Sequence, residues 1–103
     1  MNKDEYIYII RDTVKVNIYK IGISNEPRKR ICNLQTGNPN KIEIIFELKV
    51  NSDISARKVE NIIHNFLKEN NMWISGEWFK IENPEYIIQL AKSMLSIGKN
   101  RKN

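Results

Sequence analysis

Cysteine is almost missing from this chain of 103 residues: Cys32 stands alone, has no partner for an internal disulfide, and cannot seed a thiolate metal cluster. A lone thiol suits a reducing compartment, so an intracellular, cytoplasmic location is expected. Long apolar runs are missing too. None approaches the length of a membrane span, and the opening MNKDEY is charged from its second residue, without the apolar core of a signal peptide. Glycine and proline number four and three, and no linker, repeat or low-complexity segment divides the chain. The length leaves room for one domain with one modest core, and none for a catalytic module joined to a separate recognition domain.

The composition, 41% hydrophobic and 28% charged, is that of a globular protein rather than a disordered tail. A net charge of +5 and a pI near 9.4 favour a polyanionic partner.

The first thirty residues organise the rest. In YIYIIR (6–11), Tyr6, Tyr8 and Ile10 fall on one strand face and Ile7 and Ile9 on the other, which predicts a central strand covered on both sides. Turn chemistry around Asp12 to Lys15 returns the chain antiparallel, with Asn17 to Gly22 as the partner strand. Lys20 interrupts that partner. A lysine there is costly unless its head group reaches water or an anion, and it reads either as an edge lysine that blunts aggregation or as a functional cation.

Ser24 or Asn25 can cap a helix whose first turn accepts Pro27, with Pro27, Ile31 and Leu34 as its buried stripe. Arg30 lies about 60° from that stripe, and Arg28 and Lys29 point farther out. Gly37, Asn38 and Pro39 end the helix. Lys41 to Val50 predicts a third strand with Ile42, Ile44, Phe46 and Leu48 inward and Ile45 breaking the alternation. Asn51 to Asp53 are expected to cap a second helix reaching Lys68, with a stripe of Val59, Ile62, Ile63, Phe66 and Leu67. Glu60 falls about 90° from the centre of that stripe, and His64 one turn along the same side. Trp73, Trp78 and Phe79 return aromatic bulk to the core, and Lys80 and Ile81 extend a short fourth strand. Asn83 and Pro84 open a last helix, buried through Ile87, Leu90, Ala91 and Met94, with Gly98 as its stop and 98–103 as a basic tail. The expected architecture is a single α+β domain over 1–103, with its core at about 6–97: an antiparallel sheet of three to four strands flanked by about three helices.

This order of pieces resembles the GIY-YIG nuclease superfamily, and best the compact branch typified by a bacteriophage reading frame. YIY at Tyr6 to Tyr8 stands for GIY and KIG at Lys20 to Gly22 for YIG. Arg30, LQTGNP at Leu34 to Pro39, Glu60 with His64, and GEWF at Gly76 to Phe79 follow in sequence. The match covers roughly Tyr6 to Ile81. It implies a metal-dependent endonuclease that cleaves DNA to a 5′-phosphate and a 3′-hydroxyl. With no appended reading domain, contacts would go mostly to phosphates, which predicts low sequence specificity and strong salt dependence. Single-stranded, branched and duplex DNA are all open as substrates.

Similarity assigns Tyr8 to activating the attacking water, Lys20 to the place of the YIG tyrosine, Arg30 to gripping the scissile phosphate, and Glu60 to a divalent metal ion, magnesium or manganese. Tyr6, Tyr19, Arg28, Lys29 and His64 are the accompanying candidates for substrate contact. His64, four residues after Glu60, reads equally as a metal partner or as an ordinary helix residue. The chain departs from the family in having a tyrosine at position 6 where glycine is usual, and in offering only Cys32, Asn33 and Gln35 where a second basic residue or histidine is common, which leaves the general acid unassigned. Those departures motivate an alternative, a non-catalytic nucleic-acid-binding or regulatory module of the same fold. A protein-interaction domain with an incidental basic surface is a third reading.

Overall fold

The computed structural model describes residues 4–50 and 54–100. Its spine is β1 (Glu5–Asp12), where Ile7 to Ile10 are each at most 2% exposed because both sheet faces are covered. β2 (Ile18–Ser24) and β3 (Ile42–Val50) flank it antiparallel, and β5 (Trp78–Lys80) and β4 (Trp73–Ser75) extend the sheet in the order β3-β1-β2-β5-β4. The helices are α1 (Pro27–Thr36), α2 (Ala56–Glu69) and α3 (Glu85–Asn100). The domain is therefore α+β, with five strands and three helices among the described residues. None of the described helices is long and apolar enough to cross a membrane.

Alternation along β1 divides the apolar residues into two cores. Ile7 and Ile9 join Tyr19, Ile21, Phe79 and Ile81 under Val59, Ile63 and Leu67 of α2 and Ile87, Ala91 and Leu95 of α3. Tyr8 and Ile10 join Ile42 on the opposite face, with Ile31 and Leu34 of α1, Ile44 and Trp78 packed against them. A fully buried side chain of this size contributes roughly 1.5–3 kcal/mol relative to exposure. The larger cluster thus carries most of the stability, and the α1 face can hold polar groups.

Several expectations are corrected. The sheet has five strands rather than three to four, because Trp73–Ser75 and Trp78–Lys80 pair as a hairpin whose turn holds Gly76 at φ +53, a conformation that favours glycine. Trp73 is 50% exposed and does not return to the core. β2 lies inside the sheet, so Lys20 is not an edge lysine. On β3, Ile9 pairs with Phe46 but Ile10 pairs with Ile44, a bulge at Ile45 that switches faces along the strand: Ile42 and Ile44 serve the α1 core, Phe46 and Leu48 the larger one.

At α1, Glu26 occupies the cap position without a side-chain bond, and Ser24 instead accepts a hydrogen bond from the Glu26 N–H. Ser55 caps α2 by accepting from the Lys58 N–H; the caps expected at Asn51 to Asp53 lie outside the described residues. The buried stripe of α2 is Ala56, Val59, Glu60, Ile63 and Leu67, turned toward Glu60, so that Ile62 and Phe66 are 40% and 37% exposed. α3 runs through Gly98 to Asn100, which removes the expected stop, and 101–103 of the expected tail lie outside the described residues.

Candidate active site

The site is built on a missing side chain. Gly22 faces Tyr8 across the β1–β2 ladder, and a Cβ at Gly22 would stand 2.5 Å from Tyr8 Oη, 2.8 Å from Tyr8 Cζ and 3.1 Å from Glu77 Oε1. Only glycine lets the phenol and the carboxylate close over this strand. β5 begins at Trp78, opposite Lys20, so its pairing with β2 stops short of Gly22 and the sheet narrows there. At this notch, groups from both faces of the sheet approach one another.

Lys20 is 7% exposed and lies across from Ile10 on one side and Trp78 on the other. Its Nζ donates to Glu77 Oε1 at 2.8 Å and lies 5.9 Å from the centroid of the Trp78 ring. Glu77 is itself anchored, because its carbonyl accepts from the Ile21 N–H at 3.1 Å. Burial alone would raise the Glu77 carboxyl, but the hydrogen bond and charge of Lys20 hold it below the usual carboxylate range.

Glu60 reaches the notch from α2, is 6% exposed, and keeps its Oε2 buried without a hydrogen-bond partner. Burial first, then the negative charge of Glu77 and a hydrogen bond shared with it, push Glu60 up to about 7, against the pull of Arg57 and Lys20. The two acids move in opposite directions. The pair thus holds one proton, on Glu60, at mildly acid pH.

The Tyr8 side chain is 1% exposed. Burial raises its phenol, and the charges of Glu77 and Glu60 add to this, while Arg30 opposes it as hydrogen-bond donor and as cation. Tyr8 is consequently a neutral phenol at physiological pH. Arg30 rides on the exposed side of α1, with its guanidinium beside the Tyr8 hydroxyl and open to solvent.

Tyr8, Lys20, Arg30 and Glu60 therefore come together, and Glu77 joins them. In the sequence Glu77 is one letter of GEWF, and a carboxylate next to two aromatics is the signal that marks it. His64 lies at the junction of α2 and β2. Its Nε2–H donates to the Ile21 carbonyl at 2.8 Å and its ring lies 5.0 Å from that of Phe79, which fastens α2 to β2 and aims Glu60. Burial lowers the His64 pKa, helped by Lys68 and Lys20, although the Ile21 carbonyl and Glu77 pull it up.

Tyr19 does not join the site. It is 8% exposed in the larger core, on the face away from Lys20. Tyr6, Arg28 and Lys29 line a separate shallow hollow of about 280 Å³ beside Glu47. Glu47 lies opposite Tyr8 on β3, and the Arg28 guanidinium approaches its Oε1 at 3.6 Å.

Among the described residues no three His, Cys, Asp or Glu side chains gather into a metal cage. One or two carboxylates completed by waters and phosphate oxygens suit a hard divalent ion such as magnesium, and the unpartnered Oε2 of Glu60 fits that donor set. The chain belongs to the T5orf172 domain family, whose sequence profile matches residues 5–95. No curated protein and no solved structure matches it significantly.

Proposed function

We propose that this T5orf172 domain is a metal-dependent DNA endonuclease of the GIY-YIG kind, hydrolysing phosphodiester bonds with low sequence specificity and leaving a 5′-phosphate and a 3′-hydroxyl. Family membership supports a nuclease-like or DNA-binding module. The observation that carries the finer reading is the Tyr8 hydroxyl, which lies in the joint field of Arg30, Glu77 and Glu60, groups drawn together from distant segments.

Hydrolysis adds a water oxygen to phosphorus, breaks the bond to the 3′ oxygen, and gathers negative charge on the phosphoryl oxygens on the way. Arg30, exposed and forked, binds and orients the phosphate. Tyr8, neutral and buried, holds the attacking water through its hydroxyl; to act as a base it must first lose its own proton to solvent, and the resulting phenolate, favoured by the cationic charge of Arg30, then takes the proton of the water. Lys20 is committed to Glu77, so it acts as a fixed positive charge rather than a free phosphate ligand. A magnesium or manganese ion on Glu60 would supply Lewis-acid charge and a water of lowered pKa.

The test is incubation of the purified protein with labelled single-stranded, branched and duplex DNA, with and without magnesium or manganese. Metal-dependent cleavage lost in Glu60→Ala supports the reading. Cleavage unchanged by Glu60→Ala, Arg30→Ala and Tyr8→Phe belongs to a contaminant and refutes it. A non-catalytic DNA-binding module of the same fold is favoured by one observation: after Arg30, the described part of α1 carries no acidic, basic or histidine side chain to protonate the leaving oxygen. Salt-sensitive DNA binding without cleavage would establish that alternative.

A further inference from the structure

We infer that Glu77 is a second ligand of the divalent ion, which sits between Glu60 on α2 and Glu77 at the head of β5 rather than on Glu60 alone. The inference rests on the endonuclease reading above and adds to it a residue from another part of the chain.

Three observations converge on it. Glu60 is more than nine-tenths buried, and its Oε2 has no hydrogen-bond partner. A desolvated carboxylate oxygen is costly unless positive charge reaches it. The Glu77 carboxyl stands beside that of Glu60 at the Gly22 notch, so one ion can touch both acids. Finally, Glu77 is held from two directions, by the Ile21 N–H on its carbonyl and by Lys20 on Oε1, which leaves Oε2 as the atom to turn toward the ion.

A Lys20–Glu77 ion pair by itself accounts for neither the burial of Glu60 nor its orphaned oxygen.

The experiment is manganese binding to the full chain without DNA, followed by titration calorimetry and by loss of the free-ion electron spin resonance signal. Wild type, Glu60→Gln, Glu77→Gln and Glu77→Asp are compared, with circular dichroism confirming the fold of each. Glu77→Asp separates ligation from field, because it keeps the charge and withdraws the oxygens by one methylene. Both Glu77 variants and Glu60→Gln are expected to bind manganese about ten-fold or more weakly than wild type, a loss at least as large as outer-sphere changes cause.

Wild-type affinity in Glu77→Asp, or in Glu77→Gln while Glu60→Gln loses it, overturns the second ligand and leaves the endonuclease reading standing. A wild-type protein that neither binds manganese nor cleaves DNA with it overturns both.

Discussion

Gly22→Ala is the most incisive perturbation of the site, because its two possible effects have opposite signs. Gly22 lies in a strand, outside the left-handed region, so alanine meets no backbone strain. Through the unfolded chain alone the change would stabilise by about 0.4–1 kcal/mol. Against this, the new methyl would stand 2.5 Å from Tyr8 Oη and 2.8 Å from Cζ. Ordinary carbon contacts lie near 3.5 Å, so the ring tip must retreat by roughly 0.7–1 Å. Tyr8 is 1% exposed and walled in by Ile10 and Ile42, with Ile31, Leu34 and Trp78 packed around them, so the ring has no free space to enter.

Overpacking of this kind costs about 1–3 kcal/mol, and for a domain of this size each kcal/mol lowers the melting temperature by roughly 4–8 °C. A catalytic group displaced by about 1 Å loses on the order of 100-fold in rate. Melting followed by circular dichroism, and cleavage of labelled DNA with manganese, read the two effects separately. Tyr8→Phe in the Gly22→Ala background should recover part of the stability, since it removes the closest atom, and none of the activity. A Gly22→Ala protein that melts at or above wild type and cleaves normally would show that the Tyr8 hydroxyl does not rest on this glycine.

The remaining predictions concern the charges. Glu60 is raised from 4.5 to about 7, so the folded state holds the extra proton between those values and stability falls as pH rises through that window. Glu60→Gln should therefore be more stable than wild type above pH 7, by about 1–3 kcal/mol in urea unfolding, and equal to it near pH 4.5; parity at both pH values refutes the burial argument. Lys20→Met strands the Glu77 carboxylate and should cost about 1–3 kcal/mol at neutral pH, with Glu77→Gln in the same background restoring much of it; an undiminished urea midpoint would make the 2.8 Å pair inconsequential. His64 has a lowered pKa, so its contribution is complete above its unfolded value of 6.5 and declines as pH falls toward the folded one. Its replacement by glutamine should shrink that part of the acid-side decline, and proton titration of the ring by NMR tests the direction.

What sequence reading could reach depended on whether a residue's role shows in its own neighbourhood. Tyr and Ile at every position of Tyr6 to Ile10 leave no solvent face, so the central strand and its two cores were visible at once. The bulge was not. Ile42, Ile44, Phe46 and Leu48 alternate without fault, and only the pairing of β3 with β1 shows that Ile45 sends the first two to one core and the last two to the other. On α2, apolarity alone selects Ile62 and Phe66, whereas the docked face is turned toward a carboxylate that hydrophobic patterning counts as outside. Lys20 stood out as an oddity, but its partner Glu77 lies 57 residues away beside a turn, where a glutamate reads as a surface charge.

The same division explains how so small a domain can hold an unfavourable cluster. Two facing acids and a buried lysine oppose folding, and they are affordable only because the apolar burial lies elsewhere, under α2 and α3. α1 carries the opposite balance: Pro27 is its only buried residue, while Ile31 and Leu34 are half-buried. Arg30 therefore sits on a helix with one buried residue, over a Tyr8 fixed in the central strand. A phosphate bound between them would tie α1 to the sheet through its charge rather than through its core, so substrate would complete the packing that the sequence leaves thin on this face.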